Sequence, residues 1–175
     1  AGKEMPDKLL ATAQWVEYKA MEDKTVDAAA EKIGAALRQA FLDFDVAQRA
    51  RPDIRSGEDQ SGATAIACIV TPTFIVVANA GDSRGILAKA GRVEPLSFDH
   101  KPTNPGETRR IEASGGAVAN RRVNGDLAVS RALGDFQYKD NADLPAEAQA
   151  VSAEADIEIR RRDGTEEFVL LACDG

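Results

Sequence analysis

Apolar positions divide the chain into a helical opening and a strand-rich remainder. Leu9, Leu10, Ala13 and Val16 recur at helical spacing, with Trp15 beside them. Val26, Ala29, Ala30, Ile33, Leu37, Ala40, Phe41 and Phe44 form a broader apolar stripe. Thr25 is its candidate N-cap, and Asp27 lies in the first turn, where a carboxylate meets the positive end of the helix dipole. Two helices are therefore predicted within residues 1–46, their stripes serving as core. The polar stretch 51–59 predicts a loop.

Beyond it the period changes. Ala65 to Val70 is almost wholly apolar, as in a strand covered on both faces, and Pro72 marks a turn before the apolar run Phe74 to Ala78. Gly81 breaks that run. Arg84 to Ala88 and Val93 to Leu96 are predicted as strands joined through Ala90-Gly91. Such short connections fit antiparallel pairs, because a parallel crossover needs a dozen or more residues. Pro105 to Ser114 predicts a helix, with Pro suited to its first turn and Gly115-Gly116 as its stop. Ala117 to Val123 and Leu127 to Val129 predict a hairpin around Asn124-Gly125. Residues 140–155 predict an exposed loop or short helix. Asp163-Gly164 predicts a further hairpin turn, leading into Phe168 to Cys173 as the last strand. The fold class expected is α+β, with helices flanking stacked antiparallel sheets.

Composition narrows the function. No apolar run approaches the roughly 20 residues that span a bilayer. Cys68 and Cys173 both sit in apolar runs, which predicts buried thiols in a reducing compartment, cytoplasm or nucleus. One His and two Cys cannot build a zinc site rich in those ligands, so a bound metal would be oxygen-ligated and hard. The net charge is -7, yet residues 84–131 carry nine Lys or Arg against five Asp or Glu. That basic middle suits a small anion or a phosphorylated partner. Nucleic acid is not expected, because no aromatic and basic residues interleave as a stacking platform requires.

Two places could carry chemistry. Asn79-Ala80-Gly81-Asp82-Ser83-Arg84 ends an apolar strand in a turn bearing a carboxylate, a hydroxyl and a guanidinium, and Cys173-Asp174-Gly175 repeats the strand-end acid. Asp82 and Asp174 could share a hard cation, or each could simply form a turn. His100, the only histidine, lies in a Pro-flanked loop, where a local hydrogen-bonding or surface role competes with acid–base chemistry. Arg109, Arg110, Arg121, Arg122 and Arg131 could offer bidentate forks to phosphate or remain solvated charge. Neither Cys opens a Gly- and Arg-rich loop, so thiol phosphatase chemistry is not expected.

In order along the chain stand Ser61-Gly62-Ala63-Thr64-Ala65, Gly81-Asp82-Ser83-Arg84-Gly85 and Asp99-His100-Lys101-Pro102. They are followed by Arg122-Val123-Asn124-Gly125, Leu127-Ala128-Val129-Ser130-Arg131-Ala132-Leu133-Gly134-Asp135 and Leu171-Ala172-Cys173-Asp174-Gly175. From about residue 60 onward the chain resembles the metal-dependent protein serine/threonine phosphatases of type 2C. The resemblance implies a β-sandwich of two antiparallel sheets flanked by helices in αββα layers. It also implies two core Mg²⁺ or Mn²⁺ ions with a weaker third, and in-line attack of a metal-activated water on phosphoserine or phosphothreonine of protein substrates. Asp174 matches a ligand of the core pair, and Asp82 matches a ligand of the third ion. Residues 100–155 match the flap-containing region, with Arg131, Arg122 and Arg109 as candidates for substrate or flap contacts. The family's Asp-Gly-His motif with its general-acid His, its phosphate-binding Arg and its last aspartates fall outside the chain. Residues 1–175 are thus expected to be the central part of one catalytic domain, incomplete at both ends. A noncatalytic docking or regulatory module on the same fold is the alternative.

Overall fold

The computed structural model describes residues 4–173. Three helices open it: α1 (Met5–Ala11), α2 (Ala13–Ala20) and the long α3 (Asp27–Arg49). The single helix expected around Leu9 to Val16 is broken at Thr12. Thr12 takes an extended backbone, accepts from Trp15 N–H at 3.2 Å and donates to the Leu9 carbonyl at 2.9 Å. One hydroxyl thus caps two helix ends. Thr25 does not cap α3, because its N–H and hydroxyl both turn to Asp23, and Val26 occupies the cap position. The expected loop at 51–59 contains one helical turn, α4 (Pro52–Arg55).

Two three-stranded antiparallel sheets follow. Strand order in the first is β2 (Ala65–Val70), β3 (Phe74–Ala80) and β9 (Asp156–Arg161), and in the second β10 (Glu166–Ala172), β4 (Arg84–Lys89) and β5 (Arg92–Pro95). Shorter pairs join β1 (Gly62–Ala63) to β8 (Leu133–Gly134), and β6 (Val118–Ala119) to β7 (Arg122–Val123). Helix α5 (Pro105–Ala113) stands between β5 and β6.

Strand β3 is the centre. Its residues are all buried, and their alternation feeds two cores. Phe74, Val76, Ala78 and Ala80 pack against Ile33, Leu37, Phe41 and Phe44 of α3. Ile75 and Val77 face the other way, packing with Leu87 of β4 and Leu96, and with Ile66, Cys68 and Val169 at the margin. The layers are helices, sheet, sheet. On the far side of the second sheet Val93, Phe168 and Leu170 remain exposed. Ile111, Val123, Ala132, Tyr138 and Val151 build a separate core under α5.

Four expectations are corrected. The acid-Gly turn Asp163-Gly164 is no hairpin: β9 pairs with β3 and β10 with β4, so it carries the chain from one sheet to the other. Asn124 and Gly125 do turn with positive φ, but only Val123 bridges Leu127, and the hairpin of this region is β6–β7, turned by Asn120 and Arg121. Strand β2 is only half-buried, because it has one neighbour, β3. Cys68 is likewise half-buried and Cys173 is exposed at the end of edge strand β10, although both are free thiols. Apolar runs do not reveal which strand is an edge.

Candidate metal site and its supporting network

The turn Gly81-Asp82-Ser83 also crosses between the sheets, since β3 belongs to the first and β4 to the second. Gly81 has φ +117°, and a Cβ there would stand 2.5 Å from Thr64 Cβ, so the crossing requires glycine. The Thr64 and Ser83 hydroxyls meet at 2.9 Å. The turn is held on its other side by His100, whose backbone N–H donates to Gly81 O at 3.0 Å and whose Nδ1 lies 3.2 Å from Gly81 N. Buried Asn79 donates to the same carbonyl at 3.1 Å.

Asp82 is thereby fixed at the edge of the sandwich, its side chain 11% exposed. It lines a cleft of about 290 Å³ with Arg84, Asp99, Lys101, Ala172 and Cys173. The Lys101 ammonium bonds directly to its carboxylate. Arg84 grips Asp99 with two bonds, 2.8 and 2.9 Å, and its guanidinium holds the Asp99 carboxyl below the usual range. Register places Ala172 of β10 opposite Arg84, so the end of β10 comes to the cleft that holds Asp82. Asp174, the other expected ligand, lies outside the described residues.

A carboxylate this withdrawn from water needs a compensating cation. Lys101 provides one, and the same oxygens suit Mg²⁺ or Mn²⁺, which prefer hard donors and retain several waters. Asp82 therefore fits as one oxygen ligand. Among the described residues no group of three His, Cys, Asp or Glu side chains completes a centre around it.

The candidate arginines go elsewhere. Arg131 is 14% exposed at its side chain, and its donors reach Glu107 Oε1 at 2.9 Å, Asp156 Oδ1 at 2.8 Å and Glu154 O at 3.0 Å. Arg110 meets Glu107 Oε2 at 2.7 Å and the Ser130 carbonyl at 2.6 Å. Arg109 is exposed on α5, and exposed Arg122 donates to Asp126 O at 2.5 Å. None of Arg109, Arg122 and Arg131 is among the residues lining the Asp82 cleft.

His100 is buried, not a surface residue, and its Nε2 lies 3.0 Å from Asp156 Oδ2. The His100 bond, with Arg131 assisting, brings the Asp156 carboxyl down to about 2. Burial works to raise the Glu107 carboxyl, but bonds from Arg131 and Ser130 outweigh it and hold it below its ordinary value. Sequence reasoning missed Glu107 and Asp156. The Asp-His-Lys-Pro string marked one end of this network, but nothing local marked its partners, which lie as far as 56 residues away.

Residues 9–175 match the family described as Protein phosphatase 2C, and the chain belongs to that family. Protein phosphatase 2C homolog 2 of Schizosaccharomyces pombe is 51% identical over 141 residues, covering 80% of this chain and 38% of that protein. Protein phosphatase 1B of Rattus norvegicus is 45% identical over 145 residues, covering 83% and 37%. The chain thus spans well under half the length of these relatives. The crystal structure of serine-threonine phosphatase 2C from Toxoplasma gondii superposes with a TM-score of 0.78 at 21% identity, over 98% of this chain and 62% of that one, which shows the shared fold.

Proposed function

We propose that this chain is the central part of a catalytic domain that hydrolyses phosphoserine and phosphothreonine on proteins with Mg²⁺ or Mn²⁺. The observation that carries the reading is the Asp82 carboxylate, fixed at a sheet crossing inside a cleft and neutralised there by a cation. Family membership supports the reaction class. Divalent metal in such a centre neutralises phosphate charge and activates water for attack. Asp82 would hold one ion, the weaker third, and Asp174 one of the core pair. Lys101 and Arg84 flank the cleft in pairs with Asp82 and Asp99, so the bound metal would supply the net positive charge that favours an anionic substrate. Glu107, Arg110 and Arg131 keep the α5 region docked against the site.

The test is Asp82→Ala in the complete protein. The expected outcome is a fall in kcat of about tenfold or more with loss of the weaker Mn²⁺ site, while the tightest Mn²⁺ binding persists in calorimetric titration. Metal-free stability holds, since the variant removes a withdrawn carboxylate and leaves Lys101 40% exposed to water. Loss of the tight sites would place Asp82 in the core pair. Unchanged binding and turnover would make it a turn residue only. A wild-type protein that releases no phosphate from a phosphothreonine peptide at saturating Mn²⁺ would leave the docking-module reading.

A further inference from the structure

A continuous chain of bonds connects the turn bearing Asp82 to helix α5. It starts at Gly81, whose N–H has His100 Nδ1 at 3.2 Å and whose carbonyl accepts from the His100 backbone at 3.0 Å. Asp156 can only accept, so the Nε2 it contacts at 3.0 Å carries a proton, while Nδ1 stands against the Gly81 backbone, 3.2 Å from its N and 3.1 Å from its O. Asp156 thus orients the ring that grips the turn. Its other oxygen takes a bond of 2.8 Å from Arg131. Arg131 reaches on to Glu107 in α5, which is 5% exposed and also receives Arg110 at 2.7 Å and the Ser130 hydroxyl at 2.5 Å. A backbone bond closes a loop around this path, Ser130 N–H donating to His100 O at 3.0 Å.

We propose that His100, Asp156, Arg131 and Glu107 are positioning residues that tie the Gly81–Asp82 turn to helix α5, so that the packing of α5 sets how tightly Asp82 holds a divalent cation. The last clause rests on reading Asp82 as a metal ligand; the mechanical tie does not. The physical reason is rigidity. Gly81 has no side chain to anchor it and a positive φ, so the turn depends on what grips its backbone. Thr64 and Ser83 meet on one side, and His100 supplies the other. Releasing the imidazole leaves only the His100 backbone and Asn79 bonds to the Gly81 carbonyl on that side, which loosens the turn and lets the Asp82 oxygens wander from a fixed ligand geometry. Arg131 is the joint, because its rigid planar fork meets Glu107 and Asp156 on separate elements and the Glu154 carbonyl as well, a fixed geometry that the shorter-reaching point charge of a lysine does not reproduce.

The experiment uses the complete protein and three variants, Asp156→Ala, Arg131→Lys and Glu107→Gln. Amide hydrogen exchange reads the turn without metal, and Mn²⁺ titration followed by electron paramagnetic resonance reads the weaker site without turnover. Each variant is expected to speed exchange at Gly81 and His100 by about tenfold, the loss of roughly one hydrogen bond. Each is also expected to weaken the weaker Mn²⁺ site by about tenfold and leave the tight sites in place. Steady-state kinetics should then show kcat recovering at high Mn²⁺ with KM unchanged, which a general loss of fold would not give.

Wild-type exchange at Gly81 and His100 in Asp156→Ala overturns the tie. Faster exchange with unaltered Mn²⁺ affinity overturns the proposed control of the metal. If Glu107→Gln, which alters a buried group, fails to fold, Asp156→Ala decides alone, since that side chain is 63% exposed. Failure of the phosphatase reading shows separately, as a wild-type protein without turnover whose turn exchange still responds to Asp156→Ala.

Discussion

Gly81 shows how one residue fixes the position of a functional carboxylate. Its φ of +117° and the Thr64 side chain beside it leave room for a hydrogen and nothing larger. Gly81→Ala would push Thr64 Cβ and Cγ2, both within 2.5 Å of the new methyl group, on top of about 1–3 kcal/mol for the strained backbone. The expected outcome is a clear drop in Tm together with weaker Mn²⁺ binding, read by calorimetry and metal titration. A variant as stable as wild type would mean that the turn relaxes freely. The need for glycine at this position is legible from the break it makes in an apolar run. The two strand-end acids also raise the expectation that the end of β10 approaches Asp82, whereas the pairing of Asp82 with Lys101 is not legible, because nothing local links the two residues.

At the scale of elements, a hydroxyl decides a boundary that hydrophobic spacing conceals. Thr12 accepts from Trp15 N–H and donates to the Leu9 carbonyl, separating α1 from α2. Thr12→Ala should cost about 1 kcal/mol, the usual loss of an N-cap, and Thr12→Ser should restore most of it. Urea unfolding with an unchanged slope checks this, and equal midpoints for wild type and Thr12→Ala would show that the cap contributes nothing. Leu9, Leu10, Ala13 and Val16 keep helical spacing straight through this break, so periodicity alone predicts one helix. The β2–β3 and β4–β5 pairs were legible for the opposite reason: Pro72 and Ala90-Gly91 are local turn signals and the pairing is local. The turns Gly81-Asp82 and Asp163-Gly164 look like hairpins in sequence, yet both cross between sheets, a choice made by core packing on the two faces of β3. Antiparallel pairing follows from strand spacing and the β-sandwich is implied by the resemblance, whereas the network from His100 to Glu107 joins four segments with no shared local signature.

For the molecule as a whole, the same ion-pair network that braces the site sets the response to acid. Asp156 titrates in the folded chain at about 2, against an ordinary 3.8, through its bond to His100 and the nearby Arg131. Asp99 is held down by Arg84, and Glu107 by Arg131 and Ser130 against the effect of burial. The sign follows from proton uptake. Near pH 3 the unfolded chain binds protons at these carboxyls that the folded chain refuses, so acid favours unfolding. Their stabilisation is complete well above the unfolded values, 3.8 for Asp99 and Asp156 and 4.5 for Glu107, and, for Asp156, is lost as pH falls from there through about 2. Repulsion within a chain of net charge -7 changes over the same range, so the absolute Tm mixes two effects. Comparing wild type with Asp156→Asn removes most of the shared part. The Tm gap between them should be constant from about pH 7 to about pH 5 and close as pH approaches about 2, where wild-type Asp156 takes up its proton. Its size will be modest, because the side chain is 63% exposed and water screens the pair. Circular dichroism melts across that range check it, and a gap that stays open in acid would mean that the Asp156 charge does not stabilise the fold.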